Sequence, residues 1–441
     1  MFKRTLLATA VSAVFVFSGA ASADEGKHGW NFKALKGSAE KLPRPTPLTV
    51  SPWILPKGFE ARVVSDESDL NIYPFPQTDW HDMNVVNETG PDAGRYMYRT
   101  HELRSAAGAV SVVDLKTGET KLLAQDASYV ALDGIRWTPW GTVLFAEETT
   151  GGRLFEIELE DDMMTAKAIH DRPAVGRLAH EGIDLDNTGN VYVVDEHRGR
   201  SSSSICGSLP CGGGIYKFVP ETYGDLSSGD LYVLAVDGRD GVGQGSWEGP
   251  IDATNARVSG TAFGGQSYQR PEDLELINGV LYVAITEGPR DPQNKEVYEG
   301  RVIAIDLKTM KVTDFVKAGV NAPMELRSWG DDDYQTGFDS VDNLAEAPNG
   351  DLIMIEDNKP SDIWFASTKK VDDFGYSKKV KLFASLQDLK AEGTGIYFSP
   401  LDPKTLYVNI QHSEVADGDG TWAITRKKGY DDDRKKDHDD D

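Results

Sequence analysis

RPEDLELINGVLYVAITE, from Arg270 to Glu287, decides how this chain is read. Apolar residues alternate on either side of Asn278-Gly279, a pair suited to the positive backbone angles of a two-residue turn, so the stretch reads as a β-hairpin. Its ends are unusual. Glu272 and Asp273 stand before the first strand and Glu287 closes the second, so carboxylates flank an apolar hairpin at both termini.

Five other stretches share the pattern of acid, short apolar segment, turn, alternating segment and polar end. They are HEGIDLDNTGNVYVVDE (His180 to Glu196), VDNLAEAPNGDLIMIED (Val341 to Asp357), LDGIRWTPWGTVLFAEE (Leu132 to Glu148), EGTGIYFSPLDPKTLYVNIQH (Glu392 to His412) and the weaker HDMNVVNETGPDAGRYMYRTHE (His81 to Glu102). Recurrence at about 50 residues is the mark of a radial β array. Between the hairpins lie further strand-like segments such as GAVSVVDLKTG, GGRLFEIELE, GIYKFVP and GRVIAIDLKTM. The expected fold is all-β, a six-bladed β-propeller with loop insertions. The gap between Glu181 and Glu272 holds a Ser/Gly-rich segment at 199–214 and a loop-rich region to about 268, both read as surface insertions.

Counting outward from each turn sets Glu272 opposite Glu287, Glu181 opposite Glu196, Asp342 opposite Asp357, Asp133 opposite Glu148 and Asp82 opposite Glu102, with Glu392 near His412. If these hairpins are the inner strands, their acids converge at one mouth of a central channel. Clustered carboxylates repel unless a cation offsets them. Oxygen-only ligands from several loops suit a hard divalent ion such as Ca²⁺.

The rest of the chain bounds the function. The formal charge of −25 argues against nucleic acid and favours cations. Lys3 and Arg4, the apolar run Leu6 to Phe17 and Ala21-Ser22-Ala23 form a secretory signal over 1–23. That run is too short for a membrane span. The product is expected in the periplasm or secreted, as a monomer. Residues 24–50 read as an N-terminal extension, 51–423 as the propeller and 424–441 as a disordered charged tail. Cys206 and Cys211, the only cysteines, are expected to close a small loop disulfide.

Taken in order, TPWGTVLFAEE, HEG with YVVDEHRG and IYKFVP, RPEDLE, DNLAEAPNGDLIMIED and GTGIYFSP with TLYVNIQH resemble the PhoX-type alkaline phosphatases, over roughly residues 80 to 412. That resemblance implies a six-bladed propeller and metal-dependent hydrolysis of phosphate monoesters, with an iron and calcium cluster in the channel mouth. It makes Glu272, Glu181, Glu147 and Glu148 metal ligands and Arg270 the phosphate-binding arginine. A guanidinium suits that role because it holds two oxygens at once and keeps its charge. Glu287, Asp342 and Asp357 join the ligand set from the hairpin count. Two positions depart from the family. Ala146 replaces a cysteine iron ligand, and Thr100 replaces an asparagine that contacts substrate. The expectation is therefore an exported, calcium-dependent phosphatase without the iron pair, acting on a small phosphorylated substrate. The alternatives are a calcium-dependent lactonase or esterase, using Asp342, Asn343 and Asp357, and a non-catalytic secreted calcium-binding propeller.

Overall fold

Each related stretch folds as an antiparallel hairpin in the computed structural model, which describes residues 30–39, 47–48, 50–70, 80–104, 107–197, 213–287, 299–324, 337–357 and 359–428. The first strands are His81–Val86, Leu132–Trp137, Ile183–Leu185, Pro271–Ile277, Val341–Glu346 and Glu392–Phe398. They pair respectively with Tyr96–His101, Val143–Glu147, Val191–Val194, Val280–Glu287, Leu352–Glu356 and Thr405–Gln411. At the turn that opened the sequence reading, Asn278 and Gly279 have φ of 51° and 82°, the left-handed pair that such a turn requires.

Further strands extend the hairpins outward into five antiparallel sheets in an all-β, propeller-like arrangement. Three sheets have four strands and one has five. The last has nine, because Val242–Ile251 pairs at its edge with Lys311–Lys317 through Gly243 opposite Val312 and Gln244 opposite Lys311. The six first strands are the innermost, and each packs against the next in a closed cycle. The cycle runs from His81–Val86 through the strands beginning at Leu132, Ile183, Pro271, Val341 and Glu392, then back to His81–Val86.

Polar side chains rivet these inner strands together. Asp273 accepts from the Leu344 N–H at 2.8 Å, Asp184 from the Leu276 N–H at 2.6 Å and Asn343 from the Gly395 N–H at 2.7 Å. Buried backbone groups between sheets must find partners, and these side chains supply them. The apolar core lies between the sheets. One cluster gathers Trp137, Phe145, Phe155 and Tyr98, and another gathers Trp53, Phe383, Phe398 and Ile410.

The ring is closed by residues far apart in sequence. Phe59–Asp66 pairs with Gly420–Arg426, Phe59 opposite Arg426 and Asp66 opposite Gly420. That last strand includes Ile424 to Arg426, residues expected in the tail. The expected N-terminal extension also contributes to the core. Trp30 is buried with its ring 4.7 Å from Phe398, 5.2 Å from Phe59 and 5.6 Å from Phe383. The region expected as loops before 268 is largely a long hairpin, Asp225–Arg239 with Val242–Ile251, followed by the helix Ala256–Ala262. Its turn is Asp240-Gly241, both at positive φ, a hairpin signal that the many glycines around it obscured. The expected secretory signal at 1–23 and the expected disulfide of Cys206 and Cys211 lie outside the described residues. Among the described residues no helix is long and apolar enough to cross a membrane.

At the centre the inner strands approach too closely for most side chains. A Cβ at Gly134 would lie 1.7 Å from the Glu181 carbonyl oxygen of the neighbouring strand. Gly118, by contrast, is at φ +78° in an open turn with nothing within 4 Å. Gly134→Ala is expected to cost more than about 3 kcal/mol or to prevent folding. Gly118→Ala should cost about 1 kcal/mol from its backbone angle alone. Chemical denaturation of both variants checks this, and equal losses would show that the inner strands have room to part.

Candidate functional site

The carboxylates at the channel mouth owe their direction to a repeated defect in the inner strands. Register shifts occur between His81 and Asn84, Leu132 and Ile135, Pro271 and Leu274, Val341 and Leu344, and Thr394 and Tyr397. Such a bulge adds an unpaired residue and re-aims the side chains beside it. Asp82, Asp133, Glu272 and Asp342 all lie inside these shifts, while Glu181 lies just before Ile183–Leu185. The outcome is a tight cluster. Glu181, Glu272 and Asp342, all buried, each offer an oxygen within 4.8 Å of the others.

The bulges also correct the hairpin count. Glu148 donates its backbone N–H to Ala131 at 2.8 Å, Asp357 to Ser340 at 2.9 Å and Glu102 to Trp80 at 3.0 Å. These three acids of the second strands therefore sit opposite residues two places before the positions expected. They still reach the same mouth, because the bulge advances the first-strand acids toward it. Glu287 is in register with Glu299 on its outer neighbour, and its side chain lies outside the described part.

Ten carboxylates belong to this mouth and act on one another electrostatically: Asp82, Glu102, Asp133, Glu148, Glu181, Glu196, Glu272, Asp342, Asp357 and Glu392. Burial, which disfavours the charged form, pushes Asp82 up to about 6, Glu272 to about 7 and Glu102 to about 8. The nearby acid Asp82 raises Glu102 further, and Glu196 does the same to Glu272. Asp133, Glu148, Glu181, Asp342 and Glu392 are likewise raised, by burial first and neighbouring acids next.

Two guanidiniums face the ring among the described residues. Arg104 is paired with Glu102 and, at 3.3 Å, with Glu148. Arg270 lies within the ring, its Nε 2.5 Å from Glu196 and 2.9 Å from Glu272. Both contacts use Nε, and its two terminal nitrogens make no hydrogen bond among the described residues. Its backbone has φ +48°, a left-handed conformation uncommon for a residue with a side chain. Ala131 and Ser340, two residues before the acids Asp133 and Asp342, share that conformation at +47° and +45°. Arg270 stands in the same place relative to Glu272, so the repeat has a fixed left-handed corner here and this hairpin fills it with a cation.

Three residues singled out from the sequence stand elsewhere. Glu147 is turned away, because successive strand residues point oppositely. Its carboxylate is held by Arg153 at 2.6 and 2.8 Å and by the backbone N–H groups of Val130 and Arg153. It braces the blade and does not join the ring. The Thr100 hydroxyl donates to the Asp133 carbonyl at 2.5 Å and accepts from the Met83 N–H at 3.1 Å, so it clasps two inner strands and is fully buried. Ala146 packs in an apolar cluster with Leu144, Leu154, Val175 and Leu178. Arg104 was missed. Its signal was faint, a single basic residue two places after Glu102.

The donor set fits hard divalent cations. Every ligand atom in the close cluster is a carboxylate oxygen. Both oxygens of Glu272 and Oδ1 of Asp133 are buried without a hydrogen bond among the described residues, a costly condition that a bound cation removes.

PhoX of Pseudomonas fluorescens, solved in complex with vanadate, a transition state analogue, superposes with a TM-score of 0.65 at 18% identity, covering 90% of this chain and 98% of that one. The soluble aldose sugar dehydrogenase of Escherichia coli matches at a TM-score of 0.46 and 13% identity, over 84% of this chain and all (100%) of the other. The aldose sugar dehydrogenase of Streptomyces coelicolor, in its PQQ-bound form, matches at 0.44 and 11%, over 85% and 100%. No curated protein matches by sequence. The family model of alkaline phosphatase PhoX matches residues 81–414, which span all six hairpins and the whole acid ring, and the chain therefore belongs to the PhoX alkaline phosphatase family.

Proposed function

We propose that this protein is an exported, calcium-dependent phosphatase of phosphate monoesters, built as a six-bladed propeller in which the nine-stranded sheet is two blades joined edge to edge. The observation that carries the reading is Arg270. Among the described residues it is the one guanidinium set within the ring, oriented through Nε by Glu196 and Glu272, and there both terminal nitrogens are left for an anion. A planar fork suits two oxygens of a phosphoryl group.

Glu181, Glu272 and Asp342 would hold one cation, and Asp82, Asp133, Glu148, Asp357 and Glu392 stand where further cations would be held. Bound there, divalent cations supply Lewis-acid polarisation of the phosphoryl oxygens and lower the pKa of water. The chain's own contribution is positional. Arg270 binds the anionic oxygens and meets the charge that grows on them in the transition state. Glu196 and Glu272 restrict its rotation, and the left-handed corner aims it at the mouth. Thr100 and Asn343 tie neighbouring strands, so that acids from different hairpins keep their spacing.

Purified protein is expected to hydrolyse an aryl phosphate when supplied with Ca²⁺, Mn²⁺ or iron, and to lose this with a chelator. Arg270→Ala should lower kcat/KM by about 10² to 10³. Arg270→Lys should restore little, since a point charge cannot grip two oxygens. Absence of turnover under every metal load would overturn the reading.

The ring also dictates a pH dependence without metal. Folded-state pKa values of about 6, 7 and 8 for Asp82, Glu272 and Glu102 lie above their unfolded values. Stability from these groups is then fully present below about pH 4 and is lost as the pH rises through their folded-state values. Chelator-treated protein should melt lower at pH 8.5 than at pH 5. Saturating Ca²⁺ should raise Tm at pH 8.5 by about 5–10 °C. Scanning calorimetry measures both, and a metal-free melting temperature that rises across this interval would contradict the electrostatic account.

A further inference from the structure

The mouth carries one feature that metal and phosphate binding leave unused. Trp80 stands immediately before the inner strand His81–Val86, its carbonyl accepting the Glu102 N–H at 3.0 Å. His412 follows Thr405–Gln411 at φ +62° and sets its ring edge-on to the indole, with centroids 4.5 Å apart and planes at 67°. Both rings are part-exposed. The His412 Nε2 lies 3.5 Å from the ring acid Glu392, so the aromatic pair belongs to the rim.

Its place in the cycle of inner strands matters. The strand starting at His81 lies three steps from the strand starting at Pro271 in either direction, so the chain at Trp80 enters the ring on the side opposite the chain at Arg270. A phosphate monoester that spans the mouth from Arg270 would carry its organic part to that opposite side. Around the rest of the described rim it would meet carboxylates, which repel anions and offer nothing to an apolar group. At Trp80 and His412 it meets two aromatic side chains packed edge to face.

We propose that Trp80 and His412 form the subsite for the organic part of the substrate, and that the preferred substrates are phosphate monoesters whose alcohol carries a planar aromatic or heteroaromatic ring. This rests on the phosphatase reading above. Ring stacking supplies the selectivity, because indole and substrate faces attract through dispersion and offset quadrupoles. The subsite binds and orients, and no covalent step passes through it.

Two non-hydrolysable probes separate this from the parent reading: phenylphosphonate and methylphosphonate, titrated calorimetrically into the full-length, calcium-loaded protein. The wild type should bind the phenyl compound about tenfold more tightly. Trp80→Ala should abolish that preference while leaving methylphosphonate affinity within about twofold, and Trp80→Phe, which keeps a stacking face, should retain it. Unaltered far-ultraviolet circular dichroism would confirm that the variants fold. If Trp80→Ala does not fold, the Trp80→Phe and wild-type ratios decide, and a wild type without preference overturns the proposal. A preference that survives Trp80→Ala overturns it equally. Failure of both phosphonates to bind the wild type would remove the phosphatase reading and this inference with it, whereas binding without preference removes this inference alone.

Discussion

The close approach of the six inner strands is the constraint from which the rest follows. Where Gly134 meets the Glu181 carbonyl there is no room for a Cβ, and where Gly182 meets Asp273 a Cβ would lie 2.6 Å from backbone. Strands held so near the axis cannot keep regular pairing and also present their acids to a common point. The bulges resolve this conflict. Four of them break the ladder beside Asp82, Asp133, Glu272 and Asp342 and turn those carboxylates toward the mouth. The same convergence buries Glu181, Glu272 and Asp342 within reach of one another, where water cannot screen their repulsion. The fold is thus arranged around a charge that the described residues do not neutralise by themselves.

Charge within the ring is graded by what each acid touches. Glu272 shares Arg270 with Glu196, and Glu102 shares Arg104 with Glu148, so one guanidinium serves two carboxylates on each side. Asp82 instead accepts a hydrogen bond from the Thr394 hydroxyl at 2.6 Å. Pairing of this kind lowers the cost of burial without removing it, which leaves a net demand for cations. Arg270 answers a different need. Its left-handed backbone costs about 1 kcal/mol or more, yet the same corner recurs at Ala131 and Ser340, so it belongs to the repeat and was available for a functional side chain.

Much of this was legible in the amino-acid order. The alternating hairpins, their turns and the common phase of their acids stood out because strand periodicity and Asn-Gly chemistry are local. Family resemblance selected Arg270 and Glu272, and the structure sets them 2.9 Å apart in one cluster. The misreadings share one cause. Glu147 and Glu148 are equivalent letters in FAEE, but the pleat sends one to Arg153 and the other to the mouth. Thr100 looked free to meet a substrate, whereas packing between inner strands engages its hydroxyl with backbone. Ala146 bears on the apolar cluster around Leu178, a neighbour that no local pattern names.

By itself, the sequence determined the kind of fold, the number of related hairpins and the presence of an acid at each open end. Those properties follow from side-chain period and turn chemistry, which act over a few residues. Only the tertiary structure decided which acids meet, where the registers slip and which face each glutamate takes. It also brought Phe59–Asp66 against Gly420–Arg426 and seated Trp30 in the closing core, contacts between residues more than three hundred apart. Such contacts depend on the closure of the whole ring. Their geometry is set by packing and by the need to satisfy buried polar groups, neither of which is written in any single stretch of the chain.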